Sequence, residues 1–238
     1  MNRFFVENIG PEVAVIEGED LKHLSSVLRL KKGDHVMLSD GKGSECEGEI
    51  EKVEIGKALV KMGPWRPCVG EPHHKLTLFQ CLPKAGKMET ILQKCTELGV
   101  NAVFPTLSAR CVVQPGKDFD KKLIRYRKVV REAAMQSHRG IVPQVLPLVA
   151  LQRADLSAFD TVYVAYEGEK TLTLKAAMAE GTGRRIALFI GPEGGFEPEE
   201  VASLVEKGAK AVSLGPRILR TETAGMAMCA EILFELGE

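Results

Sequence analysis

The sequence predicts an α/β protein with a small β-rich domain at residues 1–71 and a larger domain at residues 73–238, built on a mostly parallel sheet. Three observations support this prediction. Short β-branched runs dominate the first 70 residues, strand and helix patterns alternate after Lys75, and a proline- and glycine-rich segment, residues 63–72, separates them. The 238 residues, 45% of them hydrophobic, suffice for two packed domains.

Residues 1–71 contain short apolar runs that are typical of strands. The pair Asp40-Gly41 between two of these runs predicts a hairpin turn. One helix interrupts the strands, and Asp20 is placed to cap its start. Its apolar face consists of Leu21, Leu24, Val27 and Leu28. We therefore predict a small β-barrel with strands at 13–16, 35–38 and 58–60.

From Lys75 onward, strand-like runs alternate with amphipathic helical runs. The run 186–190 is continuously apolar, as expected of a strand buried on both faces. This alternation predicts a mostly parallel sheet with helices on both faces. The predicted strands are 76–79, 102–104, 162–166, 186–190 and 211–214, and the predicted helices are 86–98, 118–138, 171–180, 198–207 and 222–236.

The last predicted helix, 222–236, has almost no polar face. A helix that is apolar all round is buried on every side. Periodicity alone leaves two interpretations open, an internal core helix or a terminal helix that forms a subunit interface.

Charge is distributed unevenly along the chain, although the net charge is zero. Residues 73–150 carry 13 basic and 5 acidic side chains, a net charge of +8, between segments with net charges of −3 and −5. On helix 118–138, Lys121, Arg125 and Lys128 are expected to face outward. A basic surface of this kind favours binding to a phosphate backbone over the alternative of an ordinary solvated helix face.

Several classes of protein are excluded by composition. No apolar run is long enough for a membrane-spanning helix, and the first residues do not form a secretory signal. The six cysteines and five histidines show no zinc-ligand spacing, so we expect no metal site. We interpret the cysteines as reduced thiols, several of them buried, in a cytoplasmic protein with no membrane partner.

Two loops at predicted strand ends carry the candidate chemistry, because ligands bind beyond the carboxyl ends of parallel strands. The first contains Gly191, Gly194 and Gly195 and lacks the Lys-Ser/Thr of a phosphate-binding loop, so it favours a neutral or cationic ligand. The second carries Arg217 and Arg220, followed by Glu222 and Thr223 at a helix start. Each loop, taken alone, is also consistent with an ordinary tight turn or helix cap.

Six segments together resemble the bacterial 16S ribosomal RNA uridine N3-methyltransferases of the SPOUT superfamily. They run in order from residue 3 to residue 224 and so cover nearly the whole chain. The segments are RFF at 3–5, HLSSVLRLKKGD at 23–34, KMETILQKCTELGV at 87–100, EAAMQSHR at 132–139, IGPEGGF at 190–196 and LGPRILRTETA at 214–224.

The resemblance implies an N-terminal PUA-like β-barrel that binds RNA and a C-terminal SPOUT-type α/β domain with a deep trefoil knot. It also implies S-adenosyl-L-methionine as methyl donor, a homodimer, and a substrate uridine in 16S rRNA of the 30S ribosomal subunit. The chain departs from the family pattern at Met135, where a glutamate is expected.

The resemblance also implies site residues. The catalytic candidates are Arg220 and Arg139, for the charge that develops on the uracil oxygens, and Glu222 as base. The donor-binding candidates are Gly191, Pro192, Glu193, Gly194, Gly195, Leu214, Gly215, Ile218, Leu219 and Arg220. The RNA-binding candidates are Arg3, His23, Arg29, Lys32, Lys87, Arg110, Gln136, Ser137 and Arg139.

Three other functions remain open from the sequence. A SPOUT enzyme could methylate a ribose 2′-oxygen instead of a base. The chain could bind RNA without catalysis. It could also be a small-molecule α/β enzyme with a nucleotide cofactor, although the net charge of +8 in residues 73–150 argues against this alternative.

Overall fold

A computed structural model describes residues 1–84, 86–116 and 118–238, which divide into two compact units. Unit 1 contains Met1–Glu71 and Ala134–Val142, and unit 2 contains Pro72–Ala133 and Pro143–Glu238. The domain boundary inferred near residue 72 stays a prediction. The segment Ala134–Val142, which that boundary assigned to the second domain, has its contacts within unit 1.

Unit 1 is built on one mixed sheet. Its described strands are β1 Arg3–Phe5, β2 Asn8–Ile9, β3 Val13–Glu17, β4 His35–Ser39, β5 Ser44–Glu54, β6 Lys57–Met62 and β7 Arg66–Pro67. The order is β1-β4-β5-β6-β3-β2, with β7 beside β5. Strand β1 runs parallel to β4 and the other pairs are antiparallel. Among the described residues no strand pairing joins β1 to β2. Backbone hydrogen bonds therefore do not close this sheet into the predicted barrel.

The predicted hairpin at Asp40-Gly41 is confirmed, because it connects the antiparallel strands β4 and β5. The Asp40 carboxylate accepts hydrogen bonds from the backbone N–H groups of Lys42 and Ser44, at 2.8 and 2.9 Å. These bonds replace strand pairing inside the turn, which is the usual role of an aspartate at this position.

The helix of unit 1 differs from the prediction in two ways. Helix α1 covers Gly18–Lys22, so Asp20 lies in its first turn and the predicted cap at Asp20 is wrong. The chain then continues as a π-helical turn, His23–Val27, in which the Leu28 N–H donates to the carbonyl of His23 five residues earlier. This wider turn rotates Val27 out of the apolar face, and its side chain is 65% exposed.

Unit 2 alternates strands and helices as predicted. Its described strands are β8 Lys75–Cys81, β9 Ala102–Leu107, β10 Gln144–Val145, β11 Val149–Ala150, β12 Thr161–Ala165, β13 Arg185–Ile190 and β14 Lys210–Val212. The helices are α2 Lys87–Glu97, α3 Phe119–Gln136, whose last three residues belong to unit 1, α4 Leu174–Ala179, α5 Pro198–Glu206 and α6 Thr221–Glu235.

The sheet of unit 2 has the order β10-β9-β8-β13-β12-β14, with β11 beside β9, and every described pair is parallel. The predicted parallel sheet is therefore confirmed. Three phenylalanines in register, Phe104, Phe79 and Phe189, stack across β9, β8 and β13 with ring centroids 4.7 and 4.3 Å apart. They fix the centre of the sheet and leave its carboxyl edge for the loops.

Helix α6 is buried along one stripe and not all round. Gly225, Met228 and Ile232 lie in this stripe, which packs on α2, β8 and β13. On the other side Phe234 is 80% exposed. The interpretation of α6 as an internal core helix is therefore wrong for the single chain, and the interpretation as a subunit interface stays a prediction.

Candidate active site

Three loops meet at the carboxyl edge of the unit 2 sheet. Strand β12 lies between β13 and β14, and all three run in the same direction, so the segments after them are neighbours. Together with Lys87 these loops line a cavity of about 520 Å³. All ten donor-binding candidates line it: Gly191, Pro192, Glu193, Gly194, Gly195, Leu214, Gly215, Ile218, Leu219 and Arg220.

The glycines of the first loop serve different purposes. Gly195 has φ +68°, the left-handed region that favours glycine. A Cβ atom on Gly191 would lie 3.2 Å from the Gly195 carbonyl carbon, so glycine there lets the loop fold back on itself. Glycine therefore allows both the turn and its close approach to the cavity.

A buried hydrogen-bond chain holds the first loop against helix α6. The Gln80 amide at the end of β8 donates to the Thr221 hydroxyl at 2.9 Å, and that hydroxyl donates to the carbonyl oxygen of Gly191 at 2.6 Å. Gln80 is fully buried and Thr221 is 5% exposed. The sequence reading missed Gln80. The available signal was an amide between the apolar residues Phe79 and Cys81 near the end of a strand.

Lys87 forms two ion pairs at the rim of the cavity. Its ammonium lies 3.0 Å from the Glu193 carboxylate and 3.1 Å from the Glu222 carboxylate. The hydrogen bonds that Lys87 donates to the Glu193 and Glu222 carboxylates raise the pKa of Lys87. Burial opposes ionisation of Glu193, but the bonds from Lys87 and backbone N–H groups outweigh it and lower the pKa of Glu193. The pKa of Glu222 is lowered first by its own backbone N–H and then by Lys87.

Arg110 is also held inside unit 2. Its guanidinium donates to the carbonyl oxygen of Gly194 at 2.9 Å and to the Glu197 carboxylate at 2.8 Å. Glu200, at the start of α5, accepts a hydrogen bond from the backbone N–H of Ala109 at 2.8 Å. Arg110, which was predicted to contact RNA, therefore holds the end of the loop at Gly194. Lys87, also predicted to contact RNA, is paired with two carboxylates, so its charge is already partly neutralised.

Arg220 is the N-cap residue of α6 and is exposed at the cavity. Within the described part of the chain, its guanidinium has no hydrogen-bond or ion-pair partner. Arg217 is exposed in the same loop. A free guanidinium in a concave site can bind an anionic or carbonyl oxygen of a ligand.

Arg3 and Arg139 require a correction, since both were predicted to contact RNA. Arg3 is 7% exposed and its guanidinium lies 2.6 Å from the Glu45 carboxylate, while Arg139 is 2% exposed and lies 2.7 Å from the Glu71 carboxylate. Arg3 also donates to the backbone carbonyl of Arg139 at 3.2 Å. A buried charge is stable only when it is paired, and both guanidiniums have their partners within unit 1. Their bonds link Ala134–Val142 to the strands of that unit.

The remaining RNA-binding candidates lie on unit 1. His23, Arg29, Lys32 and Gln136 are exposed, and Ser137 is half-buried. Arg29 has φ +55° directly after the π-helical turn, a strained conformation that is uncommon outside functional or tightly constrained segments. Met135 packs against the apolar core of unit 1, which accounts for an apolar side chain at the position where the resemblance predicted glutamate.

All six cysteines are free thiols, five of them buried. In the described ranges, no group of three or more histidine, cysteine, aspartate or glutamate residues is arranged to hold a metal ion. The same residues include no helix that is both long and apolar enough to cross a membrane.

Comparison with known proteins assigns the family. A family model described as an RNA methyltransferase domain matches residues 70–233, and one described as an RNA methyltransferase PUA domain matches residues 16–62. A Bacillus subtilis (strain 168) protein named ribosomal RNA small subunit methyltransferase E is 34% identical over 248 residues, which covers 99% of this chain and 97% of the relative. The chain belongs to this family of RNA methyltransferases. A Mycobacterium bovis protein of the same name is 37% identical, over 89% of this chain and 82% of its own length.

Solved structures of family members have the same fold. The Neisseria gonorrhoeae ribosomal RNA small subunit methyltransferase E, bound to S-adenosyl methionine, has a TM-score of 0.88 and 30% identity over 99% of this chain and 98% of that one. A Legionella pneumophila putative methyltransferase with bound S-adenosylmethionine has a TM-score of 0.85 and 28% identity over 98% and 97% of the two chains. The inferred family and the PUA-like N-terminal part are thereby confirmed.

Proposed function

We propose that this RNA methyltransferase transfers a methyl group from S-adenosyl-L-methionine to N3 of one uridine in 16S rRNA of the small ribosomal subunit. The observation that carries the proposal is the cavity formed by the loops 191–195 and 213–221, inside the segment that the RNA methyltransferase model matches. Relatives named for small-subunit rRNA and structures with the bound donor support the substrate and the cofactor.

The cavity fits the proposed donor in size and chemistry. Its volume of about 520 Å³ falls in the usual range for small-molecule sites. Its loops supply backbone amide and carbonyl groups, and they lack the lysine and hydroxyl pair of a phosphate-binding loop. Its walls carry the carboxylates of Glu167 and Glu193 beside the cations Lys87, Lys170, Arg217 and Arg220, so they offer partners for both signs of charge on the donor. When bound, S-adenosyl-L-methionine supplies an electrophilic methyl group.

Arg220 is the residue we assign to stabilising charge on the uracil ring. The nitrogen N3 becomes nucleophilic only as its proton leaves, and the negative charge then spreads onto O2 and O4. A guanidinium placed beside the cavity stabilises this charge more in the transition state than in the ground state. Arg220 has this position and no partner among the described side chains, whereas Arg139, the predicted helper, is committed to Glu71.

Glu222 is better assigned to positioning Lys87 than to accepting the N3 proton. Its lowered pKa makes it a weak base, and its carboxylate is paired with Lys87. A depressed pKa also means that Glu222 stays ionised at all pH values above its ordinary range, so it does not titrate between about pH 6 and 9.

We therefore expect Glu222→Gln to lower kcat/KM by less than about tenfold and to leave the pH profile of kcat/KM unchanged. The measurement is methyl incorporation into 30S subunits between about pH 6 and 9, with the exposed residue Glu199 changed to Gln as control. Loss of most activity together with a changed pH profile would instead assign Glu222 as the base.

Three further features belong to the same proposal. The exposed residues His23, Arg29, Lys32 and Gln136 of unit 1, and the exposed basic face of α3, are suited to contact the RNA backbone. The exposed apolar side of α6 with Phe234 is suited to a homodimer contact. The proposal also includes the deep trefoil knot that the resemblance implies and a cytoplasmic location, where ribosomes are found.

Mass mapping of rRNA tests the proposed reaction. In cells that lack the protein, we expect a single base methyl to disappear from one uridine of 16S rRNA, and complementation to restore it. A lost ribose methyl would instead identify a 2′-O-methyltransferase. Unchanged rRNA, together with RNA binding that weakens with salt, would indicate an RNA-binding protein without catalysis.

A further inference from the structure

Glu167 lines a wall of the cavity that is formed neither by the glycine loop, residues 191–195, nor by the arginine loop, residues 213–221. It follows β12 by two residues, between the loops that follow β13 and β14. Its carboxylate lies directly over Gly195, since a Cβ atom on Gly195 would lie 2.1 Å from the Glu167 Oε1 atom. Only glycine at position 195 permits this approach. The Glu167 side chain is therefore directed onto the glycine loop.

The turn that carries Glu167 is held firmly. The Tyr166 N–H donates to the carbonyl of Val212 at 3.1 Å, and the Glu169 N–H donates to the carbonyl of Tyr166 at 3.1 Å. The Glu169 carboxylate accepts bonds from Leu172 and Thr171, which lower the pKa of Glu169 to about 2. The Glu169 carboxylate thus stabilises the turn. The Glu167 carboxylate takes no part in these bonds.

Three cations near Glu167 are engaged elsewhere, whereas Arg217 and Arg220 line the same cavity without contacting its carboxylate. Lys170 donates to the backbone carbonyl of Glu167 and Lys87 pairs with Glu193 and Glu222. Arg110 interacts with Glu167 only through its charge, since its guanidinium is bonded to Glu197 and a loop carbonyl. Across the described ranges, the Glu167 carboxylate accepts no hydrogen bond and forms no ion pair. Among the described lining residues, Glu167 is thus the carboxylate without a direct partner, since Glu193, the other one, is paired with Lys87.

We propose that the Glu167 carboxylate is the counter-charge of the donor cavity and favours the sulfonium-bearing methyl donor over its demethylated product. This inference rests on the proposed function. S-Adenosylmethionine carries a positive charge on sulfur, whereas S-adenosylhomocysteine has a neutral sulfur and otherwise the same groups. A carboxylate that meets the sulfonium therefore distinguishes the two and promotes release of the product after transfer.

Calorimetric titration of the full-length protein with each ligand tests this role. For Glu167→Gln we expect the Kd of S-adenosylmethionine to rise by about threefold to tenfold and that of S-adenosylhomocysteine by less than about twofold. Glu167→Asp, which keeps the charge, should retain most of the preference. Glu199→Gln removes the same charge from an exposed site outside the cavity and should change neither value.

Two outcomes contradict the inference alone: an unchanged affinity of Glu167→Gln for S-adenosylmethionine, or equal weakening of both ligands. Equal weakening would assign Glu167 to a group that both ligands share. Failure of the wild-type protein to bind S-adenosylmethionine would instead overturn the proposed function on which the inference rests. Matching thermal unfolding curves of the variants and the wild type exclude misfolding as the cause.

Discussion

Replacing Arg220 with alanine is expected to lower kcat/KM for methylation of 30S subunits by about 10²- to 10³-fold, the usual loss when a donor to a developing oxyanion is removed. Arg220 lines the cavity and keeps its charge unpaired within the described part of the chain, so its guanidinium is available to the substrate. The affinity for S-adenosylmethionine should change by less than about tenfold, because we expect backbone groups of the two loops to make most of the contacts with the donor.

Two further variants test whether the loss of activity is specific to the guanidinium of Arg220. Arg220→Lys keeps the charge but loses the planar fork, so its activity should lie between those of wild type and alanine. Arg184→Ala removes an exposed arginine of the same unit outside the cavity and should leave turnover unchanged. The measurement is single-turnover methyl transfer with saturating donor. Full turnover by Arg220→Ala would remove the central catalytic assignment.

The second large effect is on stability. Glu45→Ala should lower the free energy of unfolding of unit 1 by about 3–5 kcal/mol, because it leaves the Arg3 guanidinium buried without its carboxylate. The side chains of Arg3 and Glu45 are 4% and 5% exposed, and their closest atoms are 2.6 Å apart. Urea unfolding followed by the fluorescence of Trp65, the one tryptophan in the sequence, reports on unit 1, since Trp65 packs against its core.

The control for this stability effect lies on the same strand. Glu47 is 59% exposed and pairs with His35 at the surface, so Glu47→Ala should change stability by less than about 1 kcal/mol. If Glu45→Ala does not fold, the double variant Arg3→Met with Glu45→Leu removes both charges and should recover much of the loss. Equal stabilities of Glu45→Ala and Glu47→Ala would contradict a structural role for the Arg3 pair.

The same pair gives the stability a defined pH dependence. Burial alone would raise the pKa of Glu45, but hydrogen bonds from Arg3, Cys68 and Arg66 and the charge of Arg3 lower it below its ordinary value. A depressed pKa means that the stabilisation is complete above the unfolded pKa of about 4.3 and is lost as the pH falls through the lower folded value. The difference between wild type and Glu45→Ala should therefore be constant near neutral pH and shrink in acid.

Local patterns predicted the elements of unit 2 better than those of unit 1. The central strands β8, β12 and β13 are buried on both faces, so their sequences are mostly apolar, whereas the two-residue strands β10 and β11 were not predicted. Strand β5 was missed because its exposed face carries Glu47, Glu49 and Glu51, which have low strand propensity when read alone. Its pairing with β4 and β6 supplies the stability that the local sequence lacks.

The sequence by itself determined the alternation of strands and helices, the two glycine-bearing loops and the family. The alternation and the loops depend on spacing along the chain, since residues near in sequence share one element or one turn, and the family follows from the resemblance of six ordered segments. The tertiary structure alone decided which charges remain for a ligand. Arg3, Lys87, Arg110, Arg139 and Arg220 look equivalent in the sequence, yet of these five only Arg220 has no hydrogen bond or ion pair within the described part of the chain. The carboxylates that engage the other four lie 42, 106, 87 and 68 residues away, distances that only folding closes.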